Sequence, residues 1–423
     1  MEYQLREIDE SEKEITQERK KNSVTTKNFD NLSNSNSQIT EMTNEQGVIP
    51  LREKDLTINV GDNRNLKVEE FMTTFISNVF ENKNALFLYC KYVLLFYGKE
   101  LLNENNVESL NFEIIKGGIT NILVKVEDNI HQNKYLIRLY GPKTSEIINR
   151  EREKLISNIL CDKNISKKIY VFFPNGRIEE FKDGYALSRE DIKNKDFQKE
   201  IAENLRILHD IQLDDNIYKK LQELQNIQGN RSSFLWSTLW KYFNTLKEER
   251  QKKYSFNPKA YILKLIDFDM LQSIITEIQE LCCKKNSPVV LCHCDLLSSN
   301  IIKTEGSSIS FIDFEYSCPM ERAYDIANHF NEYAGFNCEW DLTPTRSEEY
   351  HFIKHYLKTD DEQLINQIID EIQPFYICSH IVWGLWALLQ GLHSVIDFDF
   401  INYGMIRLTA AFSVKFRSKL EKN

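Results

Sequence analysis

Between residues 68 and 102 the apolar positions (Phe71, Phe75, Val79, Leu86, Leu88, Val93, Leu94, Phe96) return at helical spacing and predict two helices, with Lys91 interrupting the most apolar part. The pattern then changes to short extended runs: residues 111–115, 121–126 and 134–140, with a glycine turn at 116–120. Residues 172–181, broken at Pro174-Asn175-Gly176, predict a further pair of strands. From Phe197 onward helical spacing dominates, apart from two short strands at 301–303 and 309–311 around a polar turn with a glycine. A small sheet followed by a large helical part predicts an α+β fold of two lobes: an N-terminal lobe with its preceding helices over 66–181 and a helical C-terminal lobe over 182–423. Residues 1–65 are rich in Glu, Lys, Asn, Ser and Thr, with too few apolar residues to offset ordering entropy, and predict a disordered tail. Residues 374–396 lack Lys, Arg, Asp and Glu but contain His380, Gly384, Gln390, Gly391 and His393, which predicts a buried core helix and no stable membrane insertion.

The two short strands gain meaning from what flanks them. His293-Cys294-Asp295-Leu296-Leu297-Ser298-Ser299-Asn300 precedes the first, and Ile312-Asp313-Phe314-Glu315 follows the second. Antiparallel pairing brings Asn300 and Asp313 to one edge, with Asp295 on the loop leading into it. Converging oxygen ligands suit magnesium. The spacing Asp-x4-Asn, with a His two residues earlier and a second Asp after a hairpin, is the kinase arrangement of catalytic loop and metal-binding Asp. In that reading Asp295 accepts the hydroxyl proton of the phosphoryl acceptor, while Asn300 and Asp313 hold the ion. An ordinary surface turn explains either half alone and explains the pair poorly.

Upstream, Gly117 and Gly118, with Thr120 and Asn121 just after them, can bring backbone N–H groups close to phosphate oxygens. A plain hairpin turn is the competing reading. Arg138 interrupts an apolar strand, where a kinase carries the cation that meets nucleotide phosphates and a helical Glu; Glu153 is the expected partner, with Glu151 the alternative and a solvated charge run the competing reading. Adenine is expected at the crossover formed by Glu180, Phe181 and Lys182. Downstream, helical spacing puts Asp325, His329 and Glu332 on one face, with Asp325 either bonding the catalytic-loop backbone or touching substrate. Trp383 and Trp386 lie three apart; alone they read as core, and beside an acid as an ammonium pocket.

A net charge of -10 and a pI near 5.5 argue against a nucleic-acid partner and weakly favour a cationic small molecule. The first ten residues lack the apolar run of a signal peptide, so a cytoplasmic location is expected, with the nine cysteines as thiols. Cys282, Cys283, Cys292 and Cys294 lack paired knuckle spacing and read as buried thiols rather than a zinc site.

From about residue 111 to the end, these motifs resemble the choline and ethanolamine kinase family, which shares the bilobal protein-kinase-like fold of aminoglycoside phosphotransferases. Gly117-Gly118-Ile119-Thr120-Asn121 is similar to the phosphate loop, Arg138 stands where the family uses Arg in place of Lys, and Gly176-Arg177-Ile178-Glu179-Glu180-Phe181 resembles the adenine-side hinge. His380-x2-Trp383-Gly384-Leu385-Trp386, with Ile396-x-Phe398 and Tyr403, resembles the wall of the amine-alcohol pocket. The resemblance implies ATP and Mg2+ as cofactors, Asp295 as base, Asn300 and Asp313 as ligands, Glu315 as a second-ion ligand, and Glu332 facing the substrate ammonium. Leu297, where choline kinases usually carry Gln, and the run 329–335 resemble the ethanolamine branch. The implied reaction is phosphorylation of ethanolamine, the first step of the CDP-ethanolamine route to phosphatidylethanolamine. The alternatives are a choline kinase, an aminoglycoside-type phosphotransferase and a pseudokinase binding module; the last is expected to lack the base or a metal ligand, and all three are present. A homodimer is compatible with the resemblance. Two departures stand out: Cys294 in place of the usual Asn, and Cys318-Pro319-Met320-Glu321 in place of Gly-Tyr-Asn-Tyr.

Overall fold

A computed structural model describes residues 83–101, 109–115, 121–141, 148–229, 231–252, 261–304, 308–394 and 398–413. All of them belong to one compact unit, Asn65–Asn423. The expected tail, the first of the two expected helices, the turn carrying Gly117, Gly118 and Thr120, and Ile396 lie outside the described residues. The second helix is α1 (Lys83–Tyr97).

Five antiparallel strands follow in the spatial order β1 (Leu110–Ile115), β2 (Asn121–Asp128), β3 (Asn133–Tyr140), β5 (Gly176–Glu180), β4 (Ile169–Phe173). Alternation along a strand sorts its side chains between two faces. Tyr135, Ile137, Leu139 and Ile178 join Val93 and Leu94 of α1 in one apolar cluster. Arg138, Arg177 and Glu179 therefore take the other face, and all three are buried. Between β3 and β4 runs α2 (Arg150–Asp162), whose start is fixed by Asn149, the side chain of which accepts from the Arg152 backbone N–H at 3.0 Å.

The chain leaves this sheet at Glu180 and, after three intervening residues, enters β6 (Gly184–Ala186) of a different sheet, ordered β6, β8 (Ile301–Thr304), β9 (Ile309–Phe311). Ile301 pairs with Phe311, so the register puts the residues before β8 beside those after β9, as expected from the turn signal. A third pair joins β7 (Val289–Cys292) to β10 (Cys318–Glu321). The rest is helical: α3 (Lys195–His209), α4 (Asp215–Gln225), α5 (Leu235–Gln251), α6 (Phe268–Lys284), α7 (Arg322–Asn331), α8 (Arg346–Leu357), α9 (Glu362–His393) and α10 (Phe400–Phe412). The fold is thus α+β and bilobal, a sheet lobe joined to a helical lobe.

Residues 374–393 of the apolar segment lie in α9, which is long and apolar enough to cross a membrane, yet its most apolar stretch is wholly buried within the fold. Gly384 and Gly404 let α9 and α10 approach closely: a Cβ at Gly384 would stand 2.8 Å from Leu408 Cδ2 and 3.2 Å from the Gly404 carbonyl oxygen. That contact brings Trp383, Trp386 and Tyr403 to neighbouring helices.

Candidate active site

The loop from His293 to Asn300 is held from beneath by α7. Asp325 accepts from the backbone N–H groups of His293 and Cys294, each at 2.7 Å, and from His209 Nε2 at 3.0 Å. Burial opposes its charge, but His209 and the other donors outweigh burial and keep its carboxyl below the usual range. Asn328 Nδ2 donates to the Cys294 carbonyl at 3.1 Å and His329 Nδ1 meets the Leu296 carbonyl at 2.8 Å. Of the two roles considered for Asp325, its contacts are those of loop support. Asp325 and His329 serve the loop, whereas Glu332 follows the last residue of α7 and its carboxylate bonds Arg407.

Asp295 receives Asn300 Nδ2 on its side chain at 3.2 Å, and the same amide donates to its carbonyl at 2.8 Å. This leaves the Asn300 carbonyl oxygen as the ligand-type atom. Burial, then the charges of Asp313, Glu332 and Glu315, push the Asp295 carboxyl well above the usual range. Asp313 behaves oppositely: burial would raise it, but Arg138 and then Arg177 outweigh burial and hold it low. Arg138 Nη1 donates to Asp313 Oδ1 at 3.0 Å across the lobes. Three acidic groups around Asp295 make a field that a divalent cation would relieve, and the donor set is oxygen, as magnesium requires.

The expected Arg138–Glu153 pair is corrected. Arg138 Nε lies 3.5 Å from Glu179 Oε1, on the adjacent strand, while Glu153 bonds Arg177 and Arg150. The cause is the register: Arg138 and Arg177 face each other directly, and two facing cations need carboxylates from both the sheet and the helix. Lys167 Nζ adds a third cation to Glu179 at 2.7 Å, and together with Arg177 and Arg138 it outweighs burial and keeps Glu179 far below the usual carboxylate range. Glu151 is exposed. Asn121 Nδ2 donates to Glu315 Oε2 at 3.1 Å, and Arg150 Nη1 reaches the same oxygen at 3.4 Å. Burial, Asp313 and Glu153 raise Glu315 to about 7. At the crossover, the Glu180 carboxylate accepts from the Lys168 N–H at 3.0 Å, Lys125 stands over the Phe181 ring, and Lys182 Nζ meets Ser310 at 3.3 Å.

Trp383 and Trp386 pack edge to face at 5.1 Å. Each indole N–H has a partner: Trp383 donates to Asn328 at 2.7 Å and Trp386 to the Tyr316 hydroxyl at 2.9 Å. The Tyr316 ring lies 5.2 Å from Trp383 and 6.2 Å from Trp386, making a three-ring wall. Trp386 continues through Phe400 and Phe398 to Tyr403. Sequence reasoning missed Tyr316 and Arg407, and it named Arg177 and Glu179 only as part of the hinge, without their ion pairs. Tyr316 directly follows the Asp313 motif, and Arg407 was visible as the one cation between residues 398 and 413, one turn after Tyr403.

The two departures touch each other. Cys294 Sγ lies 4.0 Å from Cys318 Sγ and 3.6 Å from Met320 Sδ, so they form one repacked patch beside a cavity of about 30 Å³ that also meets Trp383. Cys294 has φ +68, a left-handed conformation that Asn adopts readily and Cys only at a cost of roughly 1–2 kcal/mol. The expected cysteine reading also holds in part: Cys282 and Cys292 are buried, and Cys283 is exposed.

A profile of the Choline/ethanolamine kinase family matches residues 112–412. The chain belongs to the choline/ethanolamine kinase family. A probable ethanolamine kinase of Arabidopsis thaliana is 34% identical over 306 residues, covering 70% of this chain and 77% of that protein. A solved Plasmodium vivax ethanolamine kinase is 70% identical, with a TM-score of 0.81, over 87% of this chain and 99% of its own. A Cryptosporidium parvum choline kinase, 24% identical with a TM-score of 0.60 over 81% of this chain and 97% of its own, shares the fold. As a member of the choline/ethanolamine kinase family the protein is an enzyme that uses ATP on a small-molecule substrate.

Proposed function

We propose that this protein transfers the γ-phosphoryl group of ATP to the hydroxyl of ethanolamine, with Asp295 as proton acceptor. The observation that carries the proposal is the pair of carboxyls at the hairpin edge whose proton affinities are pushed apart, Asp295 upward and Asp313 downward, in a chain 70% identical to an ethanolamine kinase. Such a split assigns different jobs to two like groups. Asp295, oriented by Asn300, takes the hydroxyl proton; Asp313, kept ionised by Arg138, is the ligand group. Mg2+ fits the oxygens of Asp313 and Asn300, and when bound it supplies neutralisation of charge on the transferred group. Glu315, bonded to Asn121 and Arg150, is assigned as the ligand of a second ion. Gly117, Gly118, Thr120 and Asn121 are assigned to the phosphates, and Glu180, Phe181 and Lys182 to adenine.

The substrate ammonium is assigned to Glu332, Tyr403 and the Trp383–Trp386–Tyr316 wall, one carboxylate with aromatic faces being the chemistry that takes such a cation. The lobe division at 181/182 is supported by the change of sheet after Glu180. We place the enzyme in the cytosol, where its nine free cysteines remain reduced. A homodimer is kept as an expectation for light scattering. The test is ATP consumption with a panel of ethanolamine, methylated ethanolamines, choline and an aminoglycoside. Ethanolamine is expected to give the highest kcat/KM; turnover of the aminoglycoside alone, or of none, would sink the reading.

A further inference from the structure

Glu332 does not present a lone charge. Arg407 on α10 is 2% exposed and bonds the Glu332 carboxylate through Nη2. Its Nε donates to the Tyr403 hydroxyl at 2.9 Å, and its Nη1 meets His380 Nδ1 at 3.3 Å. The guanidinium also stands 5.3 Å from the ring centres of both Trp340 and Tyr403. The planar fork of an arginine can grip two partners at fixed angles, which a lysine cannot do. Here the two partners are the carboxylate and the phenol assigned to the substrate. Around this knot, Cys338 and Asp295 also feel the Glu332 charge, and Arg189 bonds the Ala334 carbonyl at 3.5 Å on the outer side.

We propose that Arg407 is a positioning residue for the amine alcohol: it holds Glu332 and Tyr403 as one unit and offsets the Glu332 charge. The pocket then reads the ammonium through the direction of one carboxylate and through aromatic faces, rather than through net negative charge. The inference rests on the function proposed above. Without Arg407, the buried Glu332 carboxylate loses its counter-charge and the bond that fixes its direction. That loss removes the oriented acceptor and weakens substrate binding before it touches the phosphoryl step.

The test is a double-mutant cycle between Arg407→Met and Glu332→Gln, with thermal unfolding of each variant measured alongside. Arg407→Met should raise the ethanolamine KM about tenfold while kcat changes less than about threefold. In the Glu332→Gln background the same substitution should change KM less than about twofold, because the carboxylate it orients is gone. Equal KM effects in both backgrounds, or a loss confined to kcat, would overturn the proposal. Should Arg407→Met fail to fold, Arg407→Lys decides: it keeps the charge without the fork and should raise KM about threefold, again only when Glu332 is present. A wild-type KM for Arg407→Lys would overturn it. The substrate assignment fails separately, through choline turnover without ethanolamine turnover by the unmutated enzyme; the same cycle, read with choline, then decides the role of Arg407.

Discussion

Two aspartates at one hairpin edge are driven in opposite directions by their surroundings, and the enzyme's acid–base behaviour follows. In the proposed mechanism Asp295→Asn removes the proton acceptor and leaves the residues assigned to the nucleotide intact, so turnover should fall ~10²-fold to 10⁴-fold with ATP affinity largely kept. A near-normal kcat in that variant would remove Asp295 from the mechanism. The base works only when ionised, and its carboxyl is raised, so kcat/KM should climb as pH rises through that raised value. Glu332 is the second largest of the charges that raise it, after Asp313. Glu332→Gln should therefore move the acid limb of the profile to lower pH, and an unmoved limb would show that Glu332 does not act on the base. Asp295, Asn300 and Asp313 were legible in the sequence because hairpin register relates them by local spacing. The Arg407–Glu332 and Arg138–Glu179 contacts were not, since each depends on how separate elements pack.

At the scale of elements, alternation along β3 and β5 accounts for the sheet's charged face, and it also explains why the helical partner expected for Arg138 was wrong. A pattern of one strand shows that Arg138 faces away from the core; it does not show that Arg177 will face it from the next strand. With three cations on Glu179, Glu179→Gln should destabilise the fold by roughly 3–5 kcal/mol, the cost of breaking a buried ionic cluster. It should also weaken ATP binding more than Glu153→Gln does; the reverse order, by calorimetry, would restore the helical Glu as the partner that matters. Between α9 and α10 the close approach at Gly384 is a second element-scale feature. Gly384→Val places new carbons within contact distance of Leu408, and overpacking of this kind costs about 1–3 kcal/mol. It should lower Tm and raise the KM for the amine alcohol by shifting Trp383 and Trp386 against Tyr403; an unchanged KM at lowered Tm would detach the helix spacing from the pocket. The helical and strand periods made the elements themselves legible, while the 3₁₀ turn at Glu332–Ala334 had no periodic signal.

Across the whole molecule the two lobes meet through Arg138–Asp313, Asn121–Glu315 and the Arg152 bond to the Glu315 carbonyl at 3.1 Å. Each contact joins a sheet-lobe donor to the segment that follows β9, so the residues proposed for the nucleotide and those proposed for the metal are held as one assembly. The bilobal architecture was readable from the switch of hydrophobic period near residue 182, and the family from local motifs. Substrate choice was less readable, because the proposed assignment draws Glu332, Arg407, Tyr403 and the tryptophans from three separate elements. A primary ammonium has three N–H donors for the Glu332 carboxylate, whereas a quaternary one has none and relies on aromatic faces. The most direct measurement is competition between ethanolamine and choline for the unmutated enzyme in one vessel with ATP and Mg2+, the two phosphorylated products being resolved by ³¹P NMR. Phosphoethanolamine is expected to predominate at equal substrate concentrations, and equal or greater formation of phosphocholine would contradict the account.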